Sequence, residues 1–306
     1  MKKLSIMVGI LLLAVTIFAS EGYEKKPMFE NMKDGDKGAV VMVHFGSSYP
    51  ETRKLTIDAI NEKASKEFKG LEVRDAFTSR IIMRILEKRG IDKNNPKEVL
   101  ESLKAEGYTH ILVQATHVID GIESENLKKE IEEFEDDFKE IRLGKSLLTS
   151  PEDYKEVAHA LGERIGKLKR KEAAVFVGHG THDTATAAYP MMDYMFKSEG
   201  YENYYVGTIE GYPTFDDVVA RLKDAKIKKV KLMPFMFVAG DHANNDIAVD
   251  WKEMLEEKGF KVEVILEGLG QLDKIQTLYM EHARFASENE AEDMAEKKKE
   301  YAAGKE

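Results

Sequence analysis

Residues 173–180 read AAVFVGHG, an uninterrupted apolar run that ends in a histidine between two glycines. A run without polar alternation is typical of a strand that is buried on both faces of a sheet. Residues 39–48 repeat the arrangement as AVVMVHFGSS. The two stretches therefore predict two central strands, each followed by a loop that carries polar side chains.

The rest of the sequence alternates between apolar runs typical of strands and segments in which apolar residues have helical spacing. Further strands are predicted at 71–77, 110–114, 204–209, 230–237 and 262–266, and helices at 51–68, 80–89, 96–106, 126–138 and 273–287. This alternation predicts an α/β protein with parallel sheets flanked by helices. The pattern begins again near residue 151, which predicts an N-terminal α/β domain at 38–150 and a C-terminal one at 151–272. The helix at 273–287 follows, and then a charged tail at 288–306 that we expect to be a frayed helix or disordered.

The N-terminal residues have the pattern of an export signal. Lys2 and Lys3 precede an apolar run at 4–18, and the small residues Ala19 and Ser20 follow it. We therefore expect a signal peptide at 1–20 and a periplasmic protein, with an uncleaved N-terminal anchor as the alternative. The polar residues 21–37 are predicted to be a linker.

Composition excludes several classes of function. The chain has 306 residues, of which 42% are hydrophobic, and a formal net charge of −10. Its size suits two domains, and its acidity argues against nucleic acid as a partner. There is no cysteine, which excludes disulfides, thiolate nucleophiles and cysteine-ligated metal centres. Any metal site must be built from His, Asp and Glu.

Three side chains of metal-ligand type follow successive strands of the C-terminal half. His179, Glu210 and His242 each stand directly after a predicted strand. Because the carboxyl ends of parallel strands meet at one edge of a sheet, we expect the three to lie close together. Two imidazoles and a carboxylate suit a divalent metal such as cobalt, zinc, iron or nickel. Asp241 and Asp246 are candidates for orienting one of the histidines.

The remaining histidines are given other roles. His182, two positions after a tight turn, is expected to face away from the site. His44 and His110 lie within predicted strands and are expected to be structural, whereas His159 and His282 lie on predicted helices and are expected to be surface or packing residues.

The N-terminal half offers a smaller set of reactive residues. His117 and Glu123 follow its third strand, and Ser47 and Ser48 follow its first. Neither serine lies in Gly-x-Ser-x-Gly, which argues against a serine hydrolase. The chain also lacks a phosphate-binding P-loop and a dinucleotide-binding Gly-x-Gly-x-x-Gly after a strand.

These residues resemble the anaerobic-type sirohydrochlorin cobaltochelatases, the CbiK group of the class II chelatases, which are related in fold to ferrochelatase. The matching stretches run from about residue 39 to residue 270: VHFGSSY at 43–49, AFTS at 76–79, 117–123, VGHG at 177–180, EGYP at 210–213, LMP at 232–234 and VAGDHANND at 238–246. The resemblance implies two Rossmann-like domains with a cleft between them. The predicted signal peptide points to an exported branch of the family.

The resemblance further implies roles for single residues. His179, Glu210 and His242 are expected to bind the metal, with His179 and His242 also catalytic, and Glu123 is expected to be a catalytic carboxylate of the cleft. One position departs from the pattern, because Gly211 stands where the family often has serine, which puts a hydrogen bond from that side chain in doubt. The expected substrates are Co²⁺ and a sirohydrochlorin-type tetrapyrrole.

Alternatives remain open at this point. Iron or nickel could replace cobalt, and the same cleft could serve a periplasmic carrier that binds haem through His117, or one that delivers metal without a macrocycle. A homo-oligomer is also compatible with the sequence. The candidates for pairing with the carboxylates of the substrate are Arg53, Lys54, Arg80 and Arg84.

Overall fold

The N-terminal half is built around a four-stranded parallel sheet. The computed structural model describes residues 22–292 and the single positions 299 and 302. The strands are β2 (Gly38–His44), β3 (Glu72–Phe77), β4 (His110–Ala115) and β5 (Glu140–Leu143), in the order β3-β2-β4-β5. A short strand, β1 (Tyr23–Lys25), precedes them outside this sheet. All seven residues of β2 are buried, as expected for a central strand that is covered by helices on both faces.

The C-terminal half repeats this architecture. Its strands are β6 (Glu172–Gly180), β7 (Tyr204–Glu210), β8 (Lys229–Pro234) and β9 (Lys261–Val264), in the order β7-β6-β8-β9 and again all parallel. The last short strand is β10 (Asn289–Ala291). The predicted α/β fold with two parallel sheets is confirmed.

Helices connect the strands and cover the sheets. They are α1 (Pro50–Arg53), α2 (Ala59–Glu67), α3 (Arg80–Glu87), α4 (Pro96–Ala105), α5 (Ile122–Glu132), α6 (Pro151–Ile165), α7 (Ala188–Ser198), α8 (Phe215–Asp224), α9 (Lys252–Glu257) and α10 (Asp273–Glu288). Two π-helical segments, Lys54–Asp58 and Ala243–Trp251, continue into α2 and α9. Several helices begin where the sequence signals a start. At the start of α6, for example, the Ser150 hydroxyl accepts a hydrogen bond from the Asp153 amide, and the Asp153 carboxylate accepts one from the Ser150 amide.

The two halves share one core. A single apolar cluster contains Met42 of the first sheet and Phe176 and Phe235 of the second. Helix α10 crosses back to the N-terminal half, where its Tyr279 is fully buried. The Tyr279 hydroxyl lies 3.1 Å from the carbonyl oxygens of both Thr116 and His117, to which it donates. The end of β4 is thereby held by a helix from the far end of the chain.

The expectation that 21–37 is a linker is wrong. Strand β1 pairs antiparallel with β10, and Met28 is fully buried. The buried Arg142 holds both segments, since its guanidinium donates to the carbonyl oxygens of Lys26 and Ala286 at 2.7 and 3.0 Å. The tail expected to be irregular from 288 likewise begins with β10. A partner more than 260 positions away leaves no local pattern by which to predict this pairing.

Other boundaries also differ from those predicted. The helix expected at 126–138 is α5, which begins four residues earlier and ends at Glu132. Phe134 and Phe138 instead pack as a stacked pair on either side of a single 3₁₀ turn. Because Phe134 and Phe138 are four positions apart, their spacing in the sequence resembled the continuation of the apolar face of a helix.

The predicted signal peptide at 1–20 lies outside the described residues, as does the tail from 293 apart from positions 299 and 302. Among the residues that the structure describes, no helix has both the length and the apolar character needed to cross a membrane.

Candidate metal and tetrapyrrole site

The carboxyl ends of both sheets meet at one cavity. Its volume is about 440 Å³, within the range of small-molecule sites. The N-terminal half supplies residues that follow β2, β3 and β4, and the C-terminal half supplies residues that follow β6, β7 and β8. Apolar side chains form much of the lining, and two of them, Ile81 and Ile122, are 68% and 56% exposed. Exposed side chains of this size in a cleft are typical of a surface that receives an apolar ligand.

His179 and His242 lie against each other in this cavity. Their ring centroids are 4.8 Å apart, with the ring planes at 82°. The Nδ1 of His179 lies 3.1 Å from the carbonyl oxygen of Gly180, which can only accept, so this nitrogen carries the proton. The Nε2 lone pair of neutral His179 is therefore free to bind a metal.

A carboxylate fixes His242 in the same way. Its Nδ1 lies 2.6 Å from Oδ2 of Asp246, which leaves Nε2 unoccupied. Asp246 lies in the π-helical segment that begins directly after His242, and the wider turn of a π-helix brings residues four apart onto one face. Asp246 thus has the orienting role predicted for it. Asp241 does not, because its carboxylate accepts from the Tyr49 hydroxyl across the cleft at 3.4 Å.

The turn that carries His179 is fixed by close packing. The Gly180 amide donates to the Tyr189 hydroxyl at 3.1 Å, and a Cβ on Gly178 would lie 2.2 Å from the Tyr189 ring. Gly180 has φ +87°, and a Cβ there would lie 1.6 Å from the carbonyl oxygen of Glu210. Only glycine allows this approach, and the glycines on either side of His179 were the only sequence signal for it.

Glu210 lines the same cavity but does not contact the two imidazoles as a third ligand. Its Oε2 lies 3.6 Å from Nε2 of His182. The expectation that His182 faces away from the site is therefore wrong. Within the part of the chain that the structure describes, no group of three or more His, Asp or Glu side chains is arranged to hold a metal ion. The structure brings His179 and His242 together and places Glu210 beside them with a different partner, so the metal-binding role of the three residues stays a prediction.

The backbone at Gly211 explains why this position has glycine and not the expected serine. Its φ is +87°, and a Cβ would lie 2.5 Å from the carbonyl oxygen of Thr181. A side chain at this position would be strained by its backbone angle and would crowd the loop that carries His182.

The N-terminal wall carries His117 and Glu123. The His117 Nε2 lies 3.8 Å from Oε2 of Glu123, too far for a hydrogen bond, and both ring nitrogens are buried without a partner. Burial lowers the pKa of His117 to about 4. Burial also raises the pKa of Glu123, and a positive charge on His179, present only when that ring is protonated, opposes the rise. Glu123 is therefore a carboxylate of increased basicity that faces the imidazole pair.

A match to a family model identifies the class of protein to which this chain belongs. The model of the cobalt chelatase family, CbiK, matches residues 38–288. The chain belongs to the CbiK family. The predicted family and the prediction of a metal chelatase are thereby confirmed.

Named relatives and solved structures agree with this membership. The sirohydrochlorin cobaltochelatase of Salmonella typhimurium is 35% identical over 264 residues, which cover 85% of this chain and 100% of the relative. Sirohydrochlorin cobaltochelatase CbiKC of Nitratidesulfovibrio vulgaris is 30% identical over 253 residues, covering 80% and 89%. SirB from Bacillus subtilis with Fe³⁺ has the same fold, with a TM-score of 0.60 at 14% identity over 82% of this chain and 96% of SirB. The sirohydrochlorin chelatase SirB from Bacillus subtilis subspecies spizizenii in complex with cobalt gives 0.59 at 13% identity over the same shares.

The basic residues expected to face the substrate in this CbiK-family chain do not line the cavity. Of the described residues that form its wall, none is Lys or Arg, and the four candidates Arg53, Lys54, Arg80 and Arg84 all lie outside it. Arg53 instead donates to the carbonyl oxygen of Ser47 at 2.9 Å, and Arg89 donates to that of Ser48 at 2.6 Å. These arginines support the turn after β2 from behind. Helical position alone could not distinguish that role from substrate binding.

Buried histidines of this CbiK-family chain have the structural roles predicted for them. His44 is fully buried, with Nδ1 3.1 Å from the Thr116 hydroxyl and Nε2 2.9 Å from the Asn61 amide oxygen. Burial lowers its pKa to about 4. His282 lies 2.8 Å from the Asp153 carboxylate and so joins α10 to α6.

Proposed function

We propose that this protein inserts Co²⁺ into a sirohydrochlorin-type tetrapyrrole. The observation that carries the proposal is the pair His179 and His242, 4.8 Å apart between ring centroids, in a cavity whose other wall carries Glu123. The names of the two relatives at 35% and 30% identity support the choice of metal and macrocycle.

The reaction exchanges two pyrrole N–H protons for one dication. His179 and His242 bind Co²⁺ through their Nε2 atoms, and Glu210 joins them once its carboxylate turns from His182. These ligands replace water molecules on the metal, whose removal is one of the slow steps of insertion. Each pyrrole nitrogen that loses a proton keeps its electron pair and uses it to bind the metal.

Glu123 accepts a proton from the macrocycle in this proposal. Its raised pKa makes it a stronger base than an exposed carboxylate. His179 is the second acceptor: as the metal leaves its Nε2 for the macrocycle, the freed lone pair takes up the second pyrrole proton and passes it to solvent. The first proton thus leaves towards the N-terminal wall, whereas the metal arrives from the C-terminal wall.

The apolar walls bind the faces of the ring. Ile81 and Ile122 at the mouth and Val238 on the opposite side offer contact surface without hydrogen-bonding groups. Because the described lining has no Lys or Arg, the carboxylates of the substrate stay at the mouth of the cleft in contact with solvent. Binding energy from the ring faces is then available to deform the macrocycle.

A second candidate is a haem or tetrapyrrole carrier without turnover. The observation that favours it is His117, whose ring nitrogens lack partners at the cavity wall. Iron and nickel are further candidate metals, because preferences in solution do not settle the metal used in the cell. We also propose that the protein is exported through residues 1–20, which fractionation of cells that express the full chain would test; a homo-oligomer stays a prediction.

The test of the main proposal is an insertion assay. The purified chain is incubated with sirohydrochlorin and Co²⁺, and the absorbance spectrum is followed. His179→Ala is expected to lower the insertion rate by about 10²–10⁴-fold, the range for loss of a catalytic group. The matched control is His159→Ala, which removes an imidazole of α6 that is hydrogen-bonded to Glu199 outside the cavity and should keep the wild-type rate.

Unchanged insertion by His179→Ala, with the same melting temperature as the wild type, would contradict the proposed role. A spectrum that shows haem binding, but no insertion of any divalent metal by the wild type, would favour the carrier.

A further inference from the structure

The cavity contains two pairs of metal-ligand side chains rather than one cluster. His179 and His242 form the first pair, and His182 and Glu210 form the second at 3.6 Å. We call the second pair the loading pair. Its members are the more exposed: the side chain of His182 is 77% exposed and that of Glu210 is 50% exposed, against 46% for His242. Exposure therefore falls from the loading pair to the imidazole pair.

The backbone imposes the loading pair. Gly180 ends β6 with a positive φ, and Thr181, which follows, is buried. Gly211 packs under the carbonyl oxygen of Thr181, so the loop that carries His182 is held against the end of β7. Beyond it, the Asp183 carboxylate accepts from the Ala185 amide at 2.8 Å and fixes the next turn. His182 is thus placed beside Glu210 by packing on both sides of it.

An imidazole and a carboxylate that meet at an exposed position suit the first contact with a hydrated dication. The carboxylate attracts the ion and the imidazole replaces one of its waters, and a divalent metal such as Co²⁺ accepts both ligand types. Glu210 lies directly beside Gly180, the neighbour of His179, in the register of β6 and β7. One carboxylate can therefore serve both pairs by rotating its side chain.

We infer that His182 and Glu210 form a loading site for the divalent metal, from which the ion passes to His179 and His242. The inference rests on the proposed function, because it takes the imidazole pair as the site of insertion. The transfer is a ligand exchange in which Nε2 of His182 is replaced by Nε2 of the imidazole pair while Glu210 stays bound. No bond to carbon changes and no electron is transferred.

The first test is direct binding and does not require turnover. In the double variant His179→Ala/His242→Ala, substoichiometric Co²⁺ should broaden the ring proton signals of His182 in the NMR spectrum through its unpaired electrons. The ring signals of His159, which also meets a glutamate but lies outside the cavity, should stay sharp. Equal broadening of both rings, or none at His182, would overturn the inference.

The second test is kinetic. His182→Ala is expected to lower kcat/KM for Co²⁺ by about tenfold, the lower end of the range for loss of a supporting group at a metal site, with a smaller change in kcat. His159→Ala should match the wild type. An unchanged kcat/KM for Co²⁺ overturns the inference, and so does a loss confined to kcat at saturating Co²⁺, which would place His182 in the insertion step.

The two tests separate the inference from the proposed function. If the wild type inserts no metal but Co²⁺ broadens the His182 ring signals, the proposed function fails and the metal site stands. If the wild type inserts Co²⁺ and His182→Ala behaves like the wild type, only the loading site fails.

Discussion

The two walls of the cavity use the same residue types in opposite environments. On the C-terminal wall, His179 and His242 are accessible, and each has a hydrogen-bond acceptor at Nδ1. On the N-terminal wall, His117 is buried without partners and burial lowers its pKa to about 4. One wall therefore offers oriented lone pairs for a metal, whereas the other offers a neutral, apolar surface with one basic carboxylate, Glu123. The two halves thus share one architecture, but the C-terminal half offers ligands for a metal and the N-terminal half offers a base.

The largest effect on this comparison is expected from Glu123→Gln. If the N-terminal wall handles protons and not metal, kcat should fall by about 10²-fold while KM for Co²⁺ changes little. The wild-type rate should also fall as the pH drops through the raised pKa of Glu123, because only the ionised carboxylate accepts a proton. The variant should lack that part of the pH profile, which steady-state rates at several pH values would measure.

The matched control for that change lies two residues along the same helix. Glu125→Gln alters a carboxylate in the same first turn of α5 that is bonded to Lys128 at 2.8 Å and does not line the cavity. It should keep the wild-type kcat. A rise in KM for Co²⁺ in Glu123→Gln with kcat preserved would instead make Glu123 a metal ligand, and the contrast between the walls would be lost.

A smaller effect is expected on the metal side from Asp246→Asn. The carboxylate holds Nδ1 of His242 at 2.6 Å and so fixes the ring with Nε2 as its free nitrogen. Its loss should weaken Co²⁺ binding by about 10–100-fold, the range for groups that orient a metal-binding histidine. Isothermal titration with Co²⁺ measures this, and Asp246→Glu should restore part of the affinity.

Asp250→Asn provides the control for that prediction. Asp250 lies in the same π-helical segment, one turn beyond Asp246, and does not line the cavity. If both variants weaken Co²⁺ binding equally, the effect belongs to the general negative charge of the segment and not to the orientation of His242.

How far the sequence predicted this arrangement depended on the range of the interactions. His179, Glu210 and His242 were placed at one sheet edge because each follows a buried strand, and parallel strands bring their ends together. The pairing of Glu210 with His182 was missed, since it depends on the positive φ of Gly180 and on the packing of the loop that follows, and not on strand order. The β1–β10 pairing and the Arg142 bonds were missed because their partners lie at opposite ends of the chain. Local patterns thus predicted which residues lie at the edge of the sheet, whereas packing between distant segments decided which of their side chains meet.

The smallest expected effect concerns stability on the N-terminal wall. In the folded protein His117 takes up a proton only near pH 4, whereas in the unfolded chain it does so near the ordinary value of 6.5. Between these values the unfolded state binds more protons, so the wild type loses stability as the pH falls from 6.5 towards 4. His117→Gln removes this contribution. Its free energy of unfolding, from urea titrations, should therefore decline less with acid than that of the wild type, by about 1–3 kcal/mol at pH 4.5.

Measurements at pH 8 provide the reference for that difference, because imidazole is neutral there in both states and only the packing change remains. If the gap between His117→Gln and the wild type is the same at pH 8 and pH 4.5, His117 is protonated as readily in the folded protein as in the unfolded chain. The N-terminal wall would then carry a positive charge in mild acid, and it could not be the neutral partner of the metal-binding wall. A gap that shifts in favour of the variant as the pH falls would instead show that the fold keeps this imidazole uncharged, as the contrast between the two walls requires.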